Sequence, residues 1–411
     1  MRPTLIKNLT LLAGKKFQKI VKASLLIEDG AIRCVGNDPV STPSNTTTLD
    51  GEGLLAIPGL INAHMHIGDS IAKDLGVGKT LKELVHPLHG IKAQLLANKS
   101  REITGKAISQ TAADMLTCGI TTFVDFREGG PQGIELANRA LSESRQRILL
   151  LCRPNLLYSE TDVTSEADLP KQILEEIDKT LTVCSGVGLS GANEYTGKAL
   201  EQLYKLAKKR NKLMAIHAAE SLDTAKFSTE MFHATEIQRI LDYATPNMIV
   251  HATHATSDDI QRIVENNIGV ICCPRANAAL GVGMPPISKL LKLGAKVALG
   301  TDNVMLNPPD MFREMDYTAK MIKATSLNPS AITSVEILRM ATADAADIIG
   351  LGSTIGTIEV GKRADIVFLN MTAPNLIYSE DYISSVIHRA RPDNITCVMI
   401  NGEIVHGSIE S

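Results

Sequence analysis

Two histidines separated by a single residue, His64 and His66, end an apolar run of the chain. Side chains of a β-strand alternate between its two faces, so residues two apart point the same way. Both imidazoles could therefore bind one metal ion, although a pair of exposed strand histidines is the commoner explanation of such a motif. The metal interpretation is strengthened because three more polar residues, His217, His251 and Asp302, each end another hydrophobic run.

Three imidazoles and a carboxylate suit one divalent metal ion that keeps a position open for water. The candidate ligands are His64, His66, His217 and Asp302, with zinc as the first choice and iron or manganese as alternatives. Such a metal lowers the pKa of water from about 15.7 toward about 7, which makes hydroxide available at neutral pH. Asp302 could also accept the proton of that water, whereas the competing interpretation of Asp302 is a helix cap or an Asx turn.

Further side chains near these strand ends suit acid–base chemistry. Glu220 lies three residues after His217, where a carboxylic acid could protonate a ring nitrogen while hydroxide attacks the neighbouring carbon. A solvated loop glutamate is the alternative. His251 is expected to hydrogen bond to the attacking water or the substrate. His254 is expected either to face the substrate or to cap the next helix.

Three arginines each follow an apolar run: Arg127, Arg153 and Arg275. Guanidinium groups at the rim of an active site bind carboxylate or phosphate groups of a substrate. We therefore interpret the three arginines as candidate substrate contacts, with surface salt bridges as the alternative for each of them.

The elements that must position these residues alternate between short apolar strands and longer amphipathic segments. The strands are predicted over 54–63, 121–125, 148–152, 183–189, 213–217, 248–251, 269–272 and 296–300. Eight strands alternating with helices predict a (β/α)8 TIM barrel, which gathers its active-site groups at the carboxyl ends of the strands. The long connection 70–98 is expected to act as a lid over the site.

Both ends of the chain carry hairpin signals. Asp29-Gly30 and Asn401-Gly402 are each flanked by short apolar segments, as in two-residue hairpin turns. We predict that the termini combine into a small β-sandwich domain. The expected division is residues 1–55 and 351–411 for the small domain and 56–350 for the barrel.

Composition excludes several classes of function. The net charge of −3, the 3% aromatic content and the absence of Trp argue against a nucleic-acid partner, whose binding surface would normally be basic. No apolar stretch approaches about 18 residues, so no membrane span is expected. Seven scattered cysteines and a polar N-terminal stretch favour reduced thiols and a cytoplasmic location. A small-molecule substrate is expected, and assembly into a homo-oligomer stays open.

A glycine run at 186–191 spells G-x-G-x-x-G after a predicted strand, which is the dinucleotide-binding pattern. It makes a nicotinamide-dependent oxidoreductase the main rival from another class of enzyme. The run lies in the middle of the chain, however, and the next strand ends in His217 and Glu220 instead of a lone ribose-binding acid. A flexible strand-to-helix turn is the simpler explanation.

With these residues in place, the chain resembles the amidohydrolase superfamily, and most of all its deaminase and chlorohydrolase branch, which includes guanine, cytosine and adenosine-derivative deaminases. The resemblance covers nearly the whole chain. The matching motifs are residues 58–66, 119–122, 273–277, 300–302 and 358–367. Together they are highly specific for the superfamily and poorly specific for the substrate.

The resemblance implies a role for each candidate residue. The histidines at 64, 66 and 217 and Asp302 would bind one divalent metal, Glu220 would be the general acid, and His251 would orient the nucleophile. Binuclear relatives use a carboxylated lysine on the fourth strand, and residues 183–190 contain no lysine, which favours one metal. Arg275 and Ala276 stand where many relatives have a small polar pair, so a different substrate pocket is expected.

The function that these residues predict is hydrolytic deamination of a purine- or pyrimidine-like ring by hydroxide generated at the metal. A triazine-type chlorohydrolase or a cyclic amide hydrolase would use the same site. A barrel without catalytic activity is the last alternative, and it is disfavoured because every metal and acid position is filled.

Overall fold

The computed structural model describes residues 2–37, 41–86, 89–159 and 161–410, and within these ranges seventeen strands form two sheets. The strands are β1 Thr4–Ala13, β2 Gln18–Glu28, β3 Ala31–Gly36, β4 Thr47–Asp50, β5 Leu54–Pro58, β6 Leu60–His66, β7 Ile120–Arg127, β8 Arg147–Cys152, β9 Gly186–Leu189, β10 Leu213–Ala218, β11 Met248–His251, β12 Gly269–Cys272, β13 Lys296–Leu299, β14 Asp302–Asn303, β15 Ile366–Asn370, β16 Ile395–Ile400 and β17 Glu403–Gly407.

Fifteen α-helices lie within the described residues, and most of them connect the barrel strands. They are α1 Leu81–Val85, α2 Ile91–Asn98, α3 Arg101–Thr117, α4 Gly130–Ala140, α5 Lys171–Thr180, α6 Gly197–Lys209, α7 Leu222–Phe232, α8 Glu236–Tyr243, α9 Ser257–Glu265, α10 Pro274–Leu280, α11 Ile287–Lys292, α12 Met311–Ser326, α13 Ser334–Met340, α14 Ala343–Ile348 and α15 Tyr382–His388. Many begin at a Ser or Thr whose side chain accepts a hydrogen bond from the first turn, as Thr196 does for α6 and Thr256 for α9.

The strands β6 to β13 lie side by side in chain order, and all neighbouring pairs are parallel. The eighth strand is interrupted at Gly300 and Thr301. Its first half, β13, pairs with β12, whereas its second half, β14, pairs with β6. The sheet therefore curls until its last strand meets its first, which confirms the predicted (β/α)8 fold.

The residues of the barrel strands alternate between two buried clusters. Ala215 belongs to one cluster, whereas its neighbours Met214 and Ile216 belong to the other. Strands of a parallel barrel are buried on both faces, and continuous apolar runs such as 213–216 satisfy both faces at once. Polar residues at the ends of such runs are then held on a rigid support.

The second sheet contains strands from both ends of the chain, in the order β17-β16-β15-β5-β1-β2-β3, with β4 paired to β1. The two predicted hairpins are present: β2 and β3 flank Asp29-Gly30, and β16 and β17 flank Asn401-Gly402. The prediction of a small β domain from both termini is thereby confirmed as a separate eight-stranded sheet.

The prediction of one strand over 54–63 is wrong, because the chain changes sheets at Gly59. β5 pairs with β15 of the terminal sheet, and β6 pairs with β7 of the barrel. A Cβ at Gly59 would lie 2.2 Å from Thr121 Oγ1, so only glycine fits this crossing. The apolar run is continuous because both strands are buried, which hid the break.

Residues 67–86 and 89–98, named here the roof segment, follow β6 and include a short 3-10 helix Ile67–Ala72 as well as α1 and α2. Its apolar side chains, such as Leu84 and Leu95, form a small cluster with Leu280 and Met305. Leu280 lies in the segment after β12 and Met305 in the segment after β14, so the roof segment packs against the carboxyl ends of the barrel strands.

Among the described residues, no helix is both long enough and apolar enough to cross a lipid bilayer.

Candidate active site

The five polar residues that end four apolar runs come together at one end of the barrel. The ring centres of His64 and His217 are 4.8 Å apart, and those of His66 and His217 are 5.5 Å apart. His64, His66 and His217 each offer a ligand atom within 4.8 Å of the others, and so do His64, His251 and Asp302. The structure therefore brings together all the residues that the sequence suggested for one metal.

The carboxylate of Asp302 lies between the two histidines of β6. Its Oδ1 is 3.3 Å from His64 Nε2 and 3.5 Å from His66 Nε2. Asp302 has a φ of 59°, a left-handed conformation that is uncommon for a non-glycine residue and that is found at functional sites. This backbone conformation occurs where the eighth strand changes its pairing partner.

Several buried polar atoms in this cluster have no hydrogen-bond partner among the described residues. They include both ring nitrogens of His64, Nε2 of His251 and Oδ2 of Asp302. Unpaired buried polar atoms are costly, so a group of them with the donor set of a metal site fits a bound cation. The residues present thus fit the metal that the sequence predicted.

The protonation states also fit a metal. Burial lowers the pKa of His64 to about 3, and burial and the neighbouring imidazoles hold the pKa of His217 well below its usual range. Burial alone would raise the pKa of Asp302, but its contact with His64 and the charge of His251 outweigh burial and hold that pKa well below its usual range. Neutral imidazoles and an ionised carboxylate are the forms that bind metal.

Hydrogen bonds from Nδ1 fix the orientation of two histidine rings. His217 Nδ1 donates to the backbone carbonyl of Leu189 at 2.8 Å. His66 Nδ1 lies 3.1 Å from the carbonyl of Phe126 and 2.9 Å from Glu128 Oε1. Such bonds leave Nε2 as the metal-binding nitrogen. Leu189 belongs to the glycine run at 186–191, so in this fold that run orients a histidine of the cluster.

Glu220 and His251 form a second pair beside the cluster. Glu220 Oε1 is 3.5 Å from His251 Nε2, and His251 Nδ1 donates to Asn277 Oδ1 at 3.1 Å. Asn277 in turn donates to Thr253 at 2.5 Å. Burial raises the pKa of Glu220 above its ordinary value. A largely buried carboxylic acid beside an imidazole of fixed orientation is an arrangement for proton transfer.

The loop that carries Glu220 is held by a further carboxyl group. The Ala219 N–H donates to Glu236 Oε2 at 2.9 Å, and Ala219 has a φ of 50°. The Ala219 carbonyl accepts a hydrogen bond from the His254 N–H at 2.9 Å. These contacts keep Glu220 at its place despite the strained backbone before it.

The four predicted substrate contacts have different surroundings. Arg127 is buried and its guanidinium pairs with Glu128 at 2.5 Å and Asp125 at 3.6 Å. Arg275 contacts Glu314 at 3.7 Å and the carbonyl of Pro308 at 3.3 Å.

The other two predicted contacts differ in whether a partner is present. His254 Nε2 bonds to the carbonyl of Val282 at 2.7 Å. Arg153 Nε is buried and has no hydrogen-bond partner among the described residues. Arg127 Nη1 is likewise buried without a hydrogen-bond partner, but it forms an ion pair with Asp125 at 3.6 Å. The substrate role of all four residues stays a prediction.

Sequence reasoning missed four residues that support the site: Lys92, Glu128, Asn277 and Asn303. Glu128 follows β7 directly, so its position at a strand end could have marked it. Asn277 lies in the seventh-strand motif without a role having been assigned to it. Lys92 lies in a long connection and gave no signal.

A parallel barrel with imidazoles and a carboxylate gathered at the carboxyl ends of its strands has the architecture of a metal-dependent barrel enzyme. The chain belongs to the amidohydrolase family, whose model matches residues 55–405.

Named relatives agree with this assignment. The chain is 33% identical over 405 residues to a protein of Methanothermobacter thermautotrophicus provisionally named an aminohydrolase, covering 98% of this chain and 100% of the relative. It is 30% identical over 416 residues to the 5-methylthioadenosine/S-adenosylhomocysteine deaminase of Pyrococcus furiosus, covering 98% of this chain and 94% of the relative.

Among solved structures, the zinc complex of the atrazine chlorohydrolase of Arthrobacter aurescens has a similar fold. The TM-score is 0.83 at 19% identity, over 98% of this chain and 95% of that chain. The likeness concerns the fold, and it agrees with the barrel described above.

Proposed function

We propose that the protein is a metal-dependent aminohydrolase that removes an amino group, as ammonia, from a purine- or pyrimidine-like ring. The observation that carries the proposal is the buried cluster of unpaired ligand atoms, which faces the Glu220–His251 pair. The relatives named as an aminohydrolase and a deaminase support the same reaction class.

In this proposal His64, His66, His217 and Asp302 hold one divalent ion, with zinc as the first choice. When bound, the metal supplies acidity to a water molecule and makes it a nucleophile at neutral pH. Burial keeps the pKa values of His64 and His217 low and the contact with His64 keeps that of Asp302 low, so these three groups are in the forms that bind metal.

The chain's own residues carry the proton transfers. His251, fixed by Asn277, orients the water toward the ring carbon that bears the amino group. Asp302 accepts a proton from the water as the new carbon–oxygen bond forms. Glu220 donates a proton to the adjacent ring nitrogen. Asp302 then gives its proton to the amino group, the carbon–nitrogen bond breaks, and ammonia leaves. The proton of the new hydroxyl group passes to Glu220 as the ring carbonyl forms, which restores the acid.

Substrate recognition is also proposed from the surroundings. Arg153 is the favoured contact for an anionic substituent, because its Nε is buried and unpaired, whereas the guanidinium of Arg127 is ion-paired with Asp125 and Glu128. Arg127, Arg275 and His254 would each have to exchange a present partner for the substrate. We also propose a cytoplasmic location, which the seven unpaired cysteines support.

The test is ammonia release by the zinc-loaded protein from a panel of aminopurines, aminopteridines and aminopyrimidines. The Glu220→Gln variant, prepared identically, is the control, because a contaminating deaminase would persist in it. We expect ammonia from at least one ring with the native protein and a loss of at least about 100-fold in the variant. Chloride release from a chlorotriazine, without ammonia from any ring of the panel, would overturn the proposal.

A further inference from the structure

A buried lysine from the roof segment lies directly behind the candidate metal ligands. Lys92 is in the first turn of α2, where it is the only buried residue, and its side chain is 7% exposed. Its Nζ lies 2.6 Å from Glu128 Oε1, 2.8 Å from Asn303 Oδ1 and 3.3 Å from Asp69 Oδ2. An ammonium group has three N–H donors, and here each of them has an acceptor nearby.

Two of these three acceptors also contact candidate metal ligands. Glu128 Oε1 is 2.9 Å from His66 Nδ1. The Asn303 side-chain amide donates to Asp302 Oδ1 at 2.9 Å. Lys92 is therefore connected to His66 through the side chain of Glu128. It is connected to Asp302 through the side chain of Asn303.

The charges around Lys92 explain why a lysine is needed there. Glu128 and Asp69 are both buried, and a buried carboxylate is stable only when it is paired and hydrogen-bonded. Arg127 pairs with the far oxygen of Glu128, Oε2, while Lys92 pairs with the oxygen that faces His66. The other carboxylate oxygen of Asp69, Oδ1, accepts a hydrogen bond from the N–H of Met305. Without Lys92, Glu128 Oε1 and Asp69 Oδ2 would each lose the ammonium group that pairs with them.

The same lysine attaches α2 to the barrel. Apart from Lys92, the helix is held by Ile91 and Leu95, which are only partly buried against the small apolar cluster that contains Leu84. The docking of α2 thus depends on a charge that faces the metal centre more than on apolar burial. Because Lys92 joins α2 to the metal centre, the docking of α2 and metal binding influence each other reciprocally.

We propose that Lys92 is a positioning residue that couples the docking of α2 to the metal centre, through Glu128 to His66 and through Asn303 to Asp302. Metal binding then stabilises the docked roof segment, and the docked roof segment strengthens metal binding by the same factor. The inference rests on the metal site of the proposed function, and it does not depend on which ring is the substrate.

The test compares Lys92→Met with the native protein and with Lys99→Met, which removes an exposed lysine at the end of the same helix. Zinc affinity is measured by competition with a chromophoric chelator. Amide hydrogen exchange of α2 is measured with and without zinc. Removing a group that supports metal ligands typically weakens metal affinity about 10- to 100-fold, and we expect this loss in Lys92→Met alone.

Hydrogen exchange separates coupling from a merely structural role. In the native protein and in Lys99→Met, zinc is expected to slow exchange in α2, whereas in Lys92→Met zinc leaves it unchanged. A lysine that only held the helix would change α2 exchange equally with and without zinc. Lys92→Gln, which keeps N–H donors but no charge, replaces the Met variant if that variant does not fold.

The proposal is overturned if Lys92→Met binds zinc within about twofold of the native protein, or if zinc protects α2 equally in both. Absence of ammonia release from every ring, together with Lys92-dependent zinc binding, would remove the proposed function and leave the coupling standing. Ammonia release with no effect of Lys92 on zinc would do the reverse.

Discussion

Replacement of Glu220 by Gln should separate chemistry from metal binding. The amide keeps the size of the side chain but has no acidic proton, so the ring nitrogen is no longer protonated as the water attacks. General acid catalysis typically contributes about 10²- to 10⁴-fold, which corresponds to about 3 to 5 kcal/mol of transition-state stabilisation. The side chain is only 14% exposed, so water replaces the acid poorly and the upper half of that range is expected.

The assay is kcat for ammonia release with metal content measured on the same sample. Glu220 is not one of the proposed ligands, so the variant should hold as much metal as the native protein. Glu236→Gln is the matched control, because Glu236 is also buried and its replacement keeps a carbonyl acceptor for Ala219. We expect that control to lose less than about tenfold. Native turnover in Glu220→Gln would refute the assigned role.

Three further outcomes follow from the geometry. His217→Ala should lose its metal in elemental analysis, whereas His254→Ala, three residues after the end of the neighbouring strand β11, should retain it. Gly300→Ala would place a Cβ 2.7 Å from the His64 carbonyl, so we expect about 1 to 3 kcal/mol lower stability in urea unfolding and weaker zinc binding. Burial raises the pKa of Glu314 from 4.5 to about 8, so the folded state keeps a proton that the unfolded chain releases. Stability from this group is therefore lost as pH rises from about 5 to 8, by up to about 1.4 kcal/mol per pH unit. Glu314→Gln should remove that slope when urea unfolding is measured at each pH. An unchanged slope in Glu314→Gln would contradict the buried neutral carboxyl.

The proposed metal ligands could be placed together from the sequence because each lies at the end of an apolar run, one run being shared by His64 and His66. A run such as 213–216 needs burial on both faces, which a parallel barrel provides, and the first polar residue after it must then lie at the barrel end. His217 is the first polar residue after its run, and Asp302 is the first charged residue after the run 297–300. A polar residue directly after an apolar run can be recognised from a short stretch of sequence alone.

The contacts that support those ligands could not be predicted in the same way. His66 is oriented by Glu128, and Glu128 is neutralised by Lys92 from the roof segment. These pairings join residues from three separate elements, and no periodicity marks them. The same limit applies to Arg275, which was expected to contact substrate and lies against Glu314, a residue of α12 nearly forty positions away.

The break at Gly59 shows a different limit. A continuous apolar run predicts burial, but it does not tell which sheet buries each part. The structure divides the run because Gly59 fits against Thr121 where no Cβ could, and because the Gly59 N–H donates to the Asp365 carbonyl of the terminal segment. Steric room at a crossing depends on the other strand, which the run itself does not contain.

The two carboxyl groups of the site have pKa values that are shifted in opposite directions, which agrees with the roles proposed for them. Asp302 is kept ionised, because its contact with His64 and the charge of His251 outweigh the effect of burial. Glu220 is shifted toward the acid form, because burial outweighs the attraction of the same His251. One carboxyl can therefore accept a proton while the other donates one at the same pH, which is what addition of water to a ring carbon requires. Were both groups shifted alike, the site would lack either the base or the acid, and deamination would need a proton carrier from outside the cluster.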